Sequence, residues 1–207
     1  MSVGRGLAIG AWCCPAQSGY QPPGDRAMAD HVTDLAQAEQ GDPDIGADVF
    51  RRVLGHYPTG VCVVAALDAD GQSGGLTIGS FTSVSLDPPL VAFCPDRKSR
   101  SWARIRSAPA FAVNILASDQ EALCRRFSAA GEDKLAGIAH RRSPLGAPLL
   151  DGVVAWIECV LEAEHEAGDH FIVVGRVSAL AVERAVHPLL FFRGGYGDFA
   201  PFAPGTE

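Results

Sequence analysis

No two of the six cysteines are spaced Cys-x-x-Cys, which argues against a zinc site. No apolar run approaches the roughly 20 residues that span a bilayer. No Gly-x-Gly-x-x-Gly is present, which argues against a Rossmann domain. Positive charge is scarce too: 17 Lys and Arg against 24 Asp and Glu leave a net charge of -7. That balance argues against a nucleic-acid surface, yet leaves room for a local basic site. Cys62, Cys94, Cys124 and Cys159 lie in apolar segments and read as small hydrophobes. Together with Cys13 and Cys14 they fit a reduced, cytoplasmic protein better than a disulfide framework.

What is present is an ordinary globular composition, 47% apolar and 20% charged, over 207 residues. That length suits one domain with a sizeable core. Residues 1–45 are rich in Gly, Pro, Gln and Asp and read as a disordered extension, with the domain running over 46–203. Leu7 to Cys14 makes a weak signal peptide. Met28-Ala-Asp-His reads as a second plausible start, which mass spectrometry of the native product checks.

Hydrophobic spacing predicts a helix over Ala47 to Gly55, with Val49, Phe50, Val53 and Leu54 on one face. Gly60 to Leu67 is a continuous apolar run, as in a buried strand. Leu76 to Leu86 is rich in β-formers and reads as one strand carrying five hydroxyls: Thr77, Ser80, Thr82, Ser83 and Ser85. Asp87-Pro88-Pro89 turns the chain into a second strand, Leu90 to Cys94. Ser99 or Ser101 can cap a helix through Ile105. Phe111 to Leu116 is a strand, and Ser118 with Glu121 spells a capping box for a further helix ending before Gly131. Residues 131–148 read as loop. Strands follow over Val153 to Ala163, Phe171 to Val182 and Leu189 to Phe192. In the first, Trp156, Glu158 and Glu162 fall on the polar side, and Glu162 and Glu164 read as solvated acids. No strand–helix–strand alternation appears, so a mostly antiparallel barrel with flanking helices fits best.

Two features carry chemistry. The hydroxyl strand, with Gly79 bare of a side chain, suits a flat polar ligand lying against the backbone. Beside it, Arg97, Lys98 and Arg100 interleave with Ser99 and Ser101, which suits a phosphate. A solvent-facing strand and an ordinary basic turn explain the same residues. His170 follows Gly168 and Asp169 at the head of an apolar strand. It is either an exposed turn histidine or a group at a pocket mouth, its ring held by Asp169. His56, His140, His165 and His187 read as surface residues. No Ser-His-Asp arrangement can be inferred, so chemistry would come from a bound cofactor rather than a protein nucleophile.

Several stretches together resemble the short-chain flavin reductases, the reductase components of two-component flavin-dependent monooxygenases. They are Phe50-Arg-Arg-Val-Leu-Gly-His-Tyr-Pro-Thr-Gly-Val-Cys-Val-Val, Ser80-Phe-Thr-Ser-Val-Ser-Leu-Asp-Pro-Pro-Leu-Val and Lys98-Ser-Arg-Ser-Trp. Phe111-Ala-Val-Asn-Ile-Leu, Gly168-Asp-His and Leu190-Phe-Phe-Arg-Gly-Gly-Tyr complete the set, in order, over about residues 47–200. The resemblance implies a split β-barrel of the FMN-binding, Greek-key type that forms homodimers. It implies NAD(P)H-dependent reduction of FMN or FAD, with reduced flavin passed to a separate monooxygenase. It places Thr77, Ser80, Phe81, Thr82 and Ser83 along the flavin, and Lys98, Ser99, Ser101 and Trp102 around its phosphate end. Gly168, Asp169 and His170 match the nicotinamide-dinucleotide turn, with His170 as the catalytic-site residue. Phe127 and Tyr196 are weaker carry-overs. Ile78-Gly79 departs from the family, where Ala or Val is often followed by a polar residue. Two other readings stay open: a non-catalytic flavin carrier, and a barrel flavoprotein that oxidises a bound organic substrate.

Overall fold

The computed structural model describes residues 45–201, apart from 130 and 132. The readings of the leading extension, of Cys13 and Cys14 and of a start at Met28 lie outside the described residues. Among those described, a seven-stranded sheet dominates, and every neighbouring pair in it is antiparallel. Its strands are β2 (Cys62–Leu67), β3 (Ser73–Ile78), β4 (Thr82–Leu86), β5 (Pro89–Phe93), β6 (Phe111–Ile115), β9 (Ala155–Ala167) and β10 (His170–Val182). They lie in the order β3-β2-β6-β9-β10-β5-β4. A small sheet of β1 (Thr59–Gly60), β11 (Leu190–Phe192) and β12 (Gly195–Gly197) and a hairpin of β7 (His140–Arg142) and β8 (Pro148–Leu150) complete it.

The order explains the shape. β3 and β4 are the two edges of the sheet, yet only Gly79, Ser80 and Phe81 separate them in sequence. The four steps from Ile78 to Thr82 span at most about 14 Å. The sheet therefore curls until its edges nearly meet, giving a barrel left open along one seam. The predicted single strand from Leu76 to Leu86 is thus corrected. It is two strands on opposite edges, because Gly79–Phe81 leaves one ladder before joining the other.

β2 is buried on both faces. Cys62, Val64 and Ala66 join a cluster with Phe93, Trp102, Ile105 and Phe111. Val63 and Ala65 join a second cluster with Leu116, Cys124, Phe127 and Leu189. A strand covered on both sides reads as an unbroken apolar run rather than an alternating one. The covers are helices: α2 (Arg100–Ile105) puts Ile105 against Gly74, and α3 (Glu121–Ser128) puts Phe127 against Gly75. Helix α1 (Ala47–Leu54) forms as predicted, but Val49, Phe50 and Val53 stay well exposed.

Four local expectations change. The run 131–148 contains β7 and the start of β8. The entry to α3 is a 3-10 turn, Ser118–Gln120, where the Ala117 N–H donates to the Gln120 side chain at 3.0 Å, so Gln120 takes the part expected of Glu121. Glu158, placed on a polar face, is fully buried. It accepts from the Ser143 and Ser178 hydroxyls and from the Leu145 N–H at 2.9 Å, which pins the 143–147 turn to the sheet. Glu164 is likewise no free acid: it accepts from the Trp102 indole at 2.6 Å and pairs with Arg106 at 3.1 Å. Two register shifts between β9 and β10 re-aim side chains here, so simple alternation fails along this hairpin.

Candidate active site

β9 and β10 are joined by two residues, Gly168 and Asp169. Gly168 has φ +62°, the value a two-residue hairpin loop needs at its first position. The tip does not stand free. It is fastened to the segment that follows β5. The Arg97 N–H donates to the Asp169 carbonyl at 3.0 Å, and the Phe171 N–H donates to the Pro95 carbonyl at 2.9 Å. Asp96 and His170 form an isolated bridge between those bonds. The basic turn and the Gly-Asp-His turn, about 70 residues apart in sequence, are therefore one site.

Within it, His170 Nδ1 lies 2.7 Å from Asp169 Oδ1. That bond and the adjacent imidazole hold the Asp169 carboxyl below the usual carboxylate range. The carboxylate fixes the ring, so that Nε2 points away from it. His170 Nε2 is buried and has no hydrogen-bond partner in the described structure. Leaving such a nitrogen unmet costs about 1–3 kcal/mol. The arrangement suits a polar ligand arriving at the imidazole.

The hydroxyl strand reaches the same segment. Ser80 Oγ accepts from the Cys94 N–H at 2.9 Å, tying the barrel seam to the start of the basic turn. Burial pushes the Cys94 thiol up, partly offset by Ser80. Thr82 and Ser83 are exposed on β4, and Phe81 is half-buried against the core. The backbone of Gly79–Phe81 belongs to neither ladder. A flat ring with polar edges fits such a place: peptide groups outside both ladders, exposed hydroxyls and one aromatic neighbour. Gly79 also serves packing, since a Cβ there would lie 2.8 Å from Thr59 Oγ1. On the basic turn, the Lys98 side chain is exposed and no ion pair takes its ammonium among the described residues. Ser99 caps α2, accepting from the Trp102 N–H at 3.1 Å, while its own hydroxyl hydrogen stays available to an anion. Ser101 opens on a shallow cleft with Ser73, Arg100 and Arg104.

Other implied contacts are placed elsewhere, and these are corrections. Thr77 is 3% exposed and donates to the Cys124 carbonyl of α3 at 3.0 Å, because strand alternation turns it toward that helix. Trp102 is 1% exposed, edge-on to Phe93 at 5.4 Å, with its indole N–H committed to Glu164. Phe127 is 2% exposed inside the second cluster. All three side chains hold the fold and offer no surface to a ligand. Tyr196 packs on Phe191, and its hydroxyl accepts from Cys124 Sγ at 3.2 Å. Gly71-Gln72-Ser73-Gly74-Gly75 has the spelling of a nucleophile elbow, but Ser73 lies on a strand and donates to Asp133 at 2.8 Å. Arg97, grouped by sequence with a phosphate-binding cluster, instead turns its guanidinium to Gly168 and Glu166 of the hairpin. Only the tertiary pairing reveals its place, although it stands inside the basic cluster.

The flavin reductase like domain profile matches residues 54–200. A flavin reductase of Pseudomonas putida is 56% identical over 151 residues, covering 73% of this chain and 89% of that one. The reductase subunit HsaB of a flavin-dependent monooxygenase from Rhodococcus jostii is 46% identical, covering 78% of this chain and 85% of that one. The structure of the NADH:FAD oxidoreductase SgcE6 from Streptomyces globisporus, in complex with NAD and FAD fragments, superposes with a TM-score of 0.71. It is 37% identical and covers 76% of this chain and 94% of that one. An open antiparallel barrel with this seam, and relatives matched over most of both lengths, lead to one conclusion: the chain belongs to the flavin reductase like family.

Proposed function

We propose that this domain, residues 46–203, is a flavin reductase that uses NADH, in preference to NADPH, to reduce FMN or FAD and supplies reduced flavin to a separate monooxygenase. The observation that carries this reading is the joining of the Gly168–His170 turn to the basic turn beside the barrel seam. The seam, the basic turn and an imidazole with an unmet nitrogen are thus joined through one segment, which supports a flat ring, a phosphate and a dinucleotide binding side by side. Bound there, the flavin supplies the hydride-accepting chemistry.

The chain's own residues do the rest. Gly79–Phe81 offer backbone groups to the ring edge, where negative charge gathers on reduction. Thr82 and Ser83 add neutral hydroxyls, which suit a flavin that must leave again. Lys98 and Ser99 face the phosphate end. Asp169 holds the His170 ring so that Nε2 meets the dinucleotide. A homodimer belongs to the same proposal. Leu86, Leu180 and Val182 are 95%, 64% and 77% exposed, apolar surface that a single copy leaves in water. A cytoplasmic setting, where NADH is made, belongs to it as well.

The deciding assay follows NADH absorbance with and without added FMN or FAD. Flavin-dependent loss of NADH is expected. Bound flavin with no NADH consumption would identify a carrier, and permanently bound flavin with oxidase activity would identify the third reading. Lys98→Ala checks the phosphate contact: affinity for FMN and FAD should fall at least about tenfold, the lower end for one charge-assisted hydrogen bond. Riboflavin affinity should not change, and an equal loss for all three flavins would remove the contact.

A further inference from the structure

Arg97 grips the hairpin tip from three directions. Its Nη1 donates to the Gly168 carbonyl at 3.3 Å, and its Nη2 pairs with Glu166 Oε1 at 3.2 Å. Its guanidinium lies 5.7 Å from the centre of the Phe171 ring. Its backbone N–H donates to the Asp169 carbonyl at 3.0 Å. Glu166, Gly168, Asp169 and Phe171 surround His170 in sequence, so one side chain touches the chain before and after the imidazole. A lysine could satisfy one of these partners but not the fork and the stack together.

We infer that Arg97 is a positioning residue for the dinucleotide turn: it fixes Gly168–His170 so that His170 Nε2 is aimed before the dinucleotide arrives. Gly168 and Asp169 are both exposed, and Gly168 is the most permissive residue a tip can carry. Backbone bonds fasten Asp169 and Phe171 to the segment after β5, and the guanidinium adds the hold on the Gly168 carbonyl, so its loss leaves the tip freer to move the imidazole. A plain surface ion pair between Arg97 and Glu166, with side chains 42% and 68% exposed, would contribute almost nothing. The carbonyl bond and the ring contact make the difference: one ties the guanidinium to the Gly168 backbone, the other to the side chain next to His170.

The inference rests on the proposal that this turn receives NADH, and the test separates the two. In wild type, flavin-dependent NADH oxidation checks the proposal. In Arg97→Ala, the KM for NADH should rise about fivefold, with kcat and FMN affinity within about twofold of wild type. Arg97→Lys, which keeps the charge, should recover less than half of that loss. Full recovery would mean that charge alone attracts the dinucleotide, and would overturn positioning. An equal loss of FMN affinity, or an unchanged KM, would overturn it too. A second readout needs no turnover. In flavin-free Arg97→Ala, the Phe171 amide, which donates to Pro95, should exchange with solvent about tenfold faster than in wild type. Unchanged exchange would show that the tip stays fixed without the guanidinium, and would end the inference whatever the activity.

Discussion

His170→Ala is expected to lower kcat/KM for NADH about 30-fold, close to 2 kcal/mol, while FMN affinity should stay within about twofold. The split follows from the geometry. Asp169 sets the imidazole through a 2.7 Å bond, and the opposite nitrogen is buried with no partner. A dinucleotide bound as proposed would gain a hydrogen bond there and relieve an unmet polar atom, so the residue should contribute more to that complex than an exposed histidine could. On the proposed placement the flavin contacts fall at Gly79–Ser83 and Lys98–Ser99, away from His170, so flavin binding should not respond. Steady-state kinetics at varied NADH, with flavin affinity measured by fluorescence quenching, check both halves. If the kinetics match wild type, His170 is an ordinary turn residue.

Gly75→Ala is expected to cost about 3 kcal/mol of stability, the upper range for overpacking a filled core. In a domain of this length that lowers Tm by roughly 10 °C. A Cβ on Gly75 would sit 2.5 Å from Phe127 Cε1, 2.6 Å from Cδ1 and 3.3 Å from the Lys134 Cβ. None of these can step aside. Phe127 is 2% exposed, and Lys134 is buried with its ammonium donating to the Phe127 and Ala129 carbonyls at the end of α3. Burial pulls the Lys134 pKa down, so the cation is held by those carbonyls rather than by water. Moving α3 away would also break the bond from Thr77 to Cys124. Calorimetry of Gly75→Ala against Gly60→Ala, where an added Cβ meets nothing within 4 Å, isolates the packing effect. A melting point within about 2 °C of wild type would show that α3 and β3 are not packed this closely.

The same contacts show where sequence reasoning worked and where it stopped. The double burial of β2 was legible, because an apolar run of strand length has few other uses. A serine cap at 99 or 101 was legible, because such a cap finds its partner three residues on, and the structure selects Ser99. The hairpin of β7 and β8 was not. His140-Arg-Arg carries no apolar alternation, and its ladder exists only because Pro148–Leu150 lies beside it. Glu158 was misread for a related reason. A carboxylate at an alternating position looks solvated until the 143–147 turn folds over it with three donors.

Sequence by itself determined the class of the fold, the turn chemistry and the residues from which a flavin and dinucleotide site could be assembled. These follow from period, from capping and from short motifs, all of which act over a few neighbouring residues. Tertiary structure alone decided which of them meet. The curling of the sheet brings its two edges to a seam at Gly79–Phe81. The pairing of β10 with β5 lays His170 beside Arg97. The helices bury Thr77, Trp102 and Phe127 that a motif alone would have given to the ligand. Each is a consequence of contacts between segments far apart along the chain, and no local pattern encodes which distant partner a side chain will find.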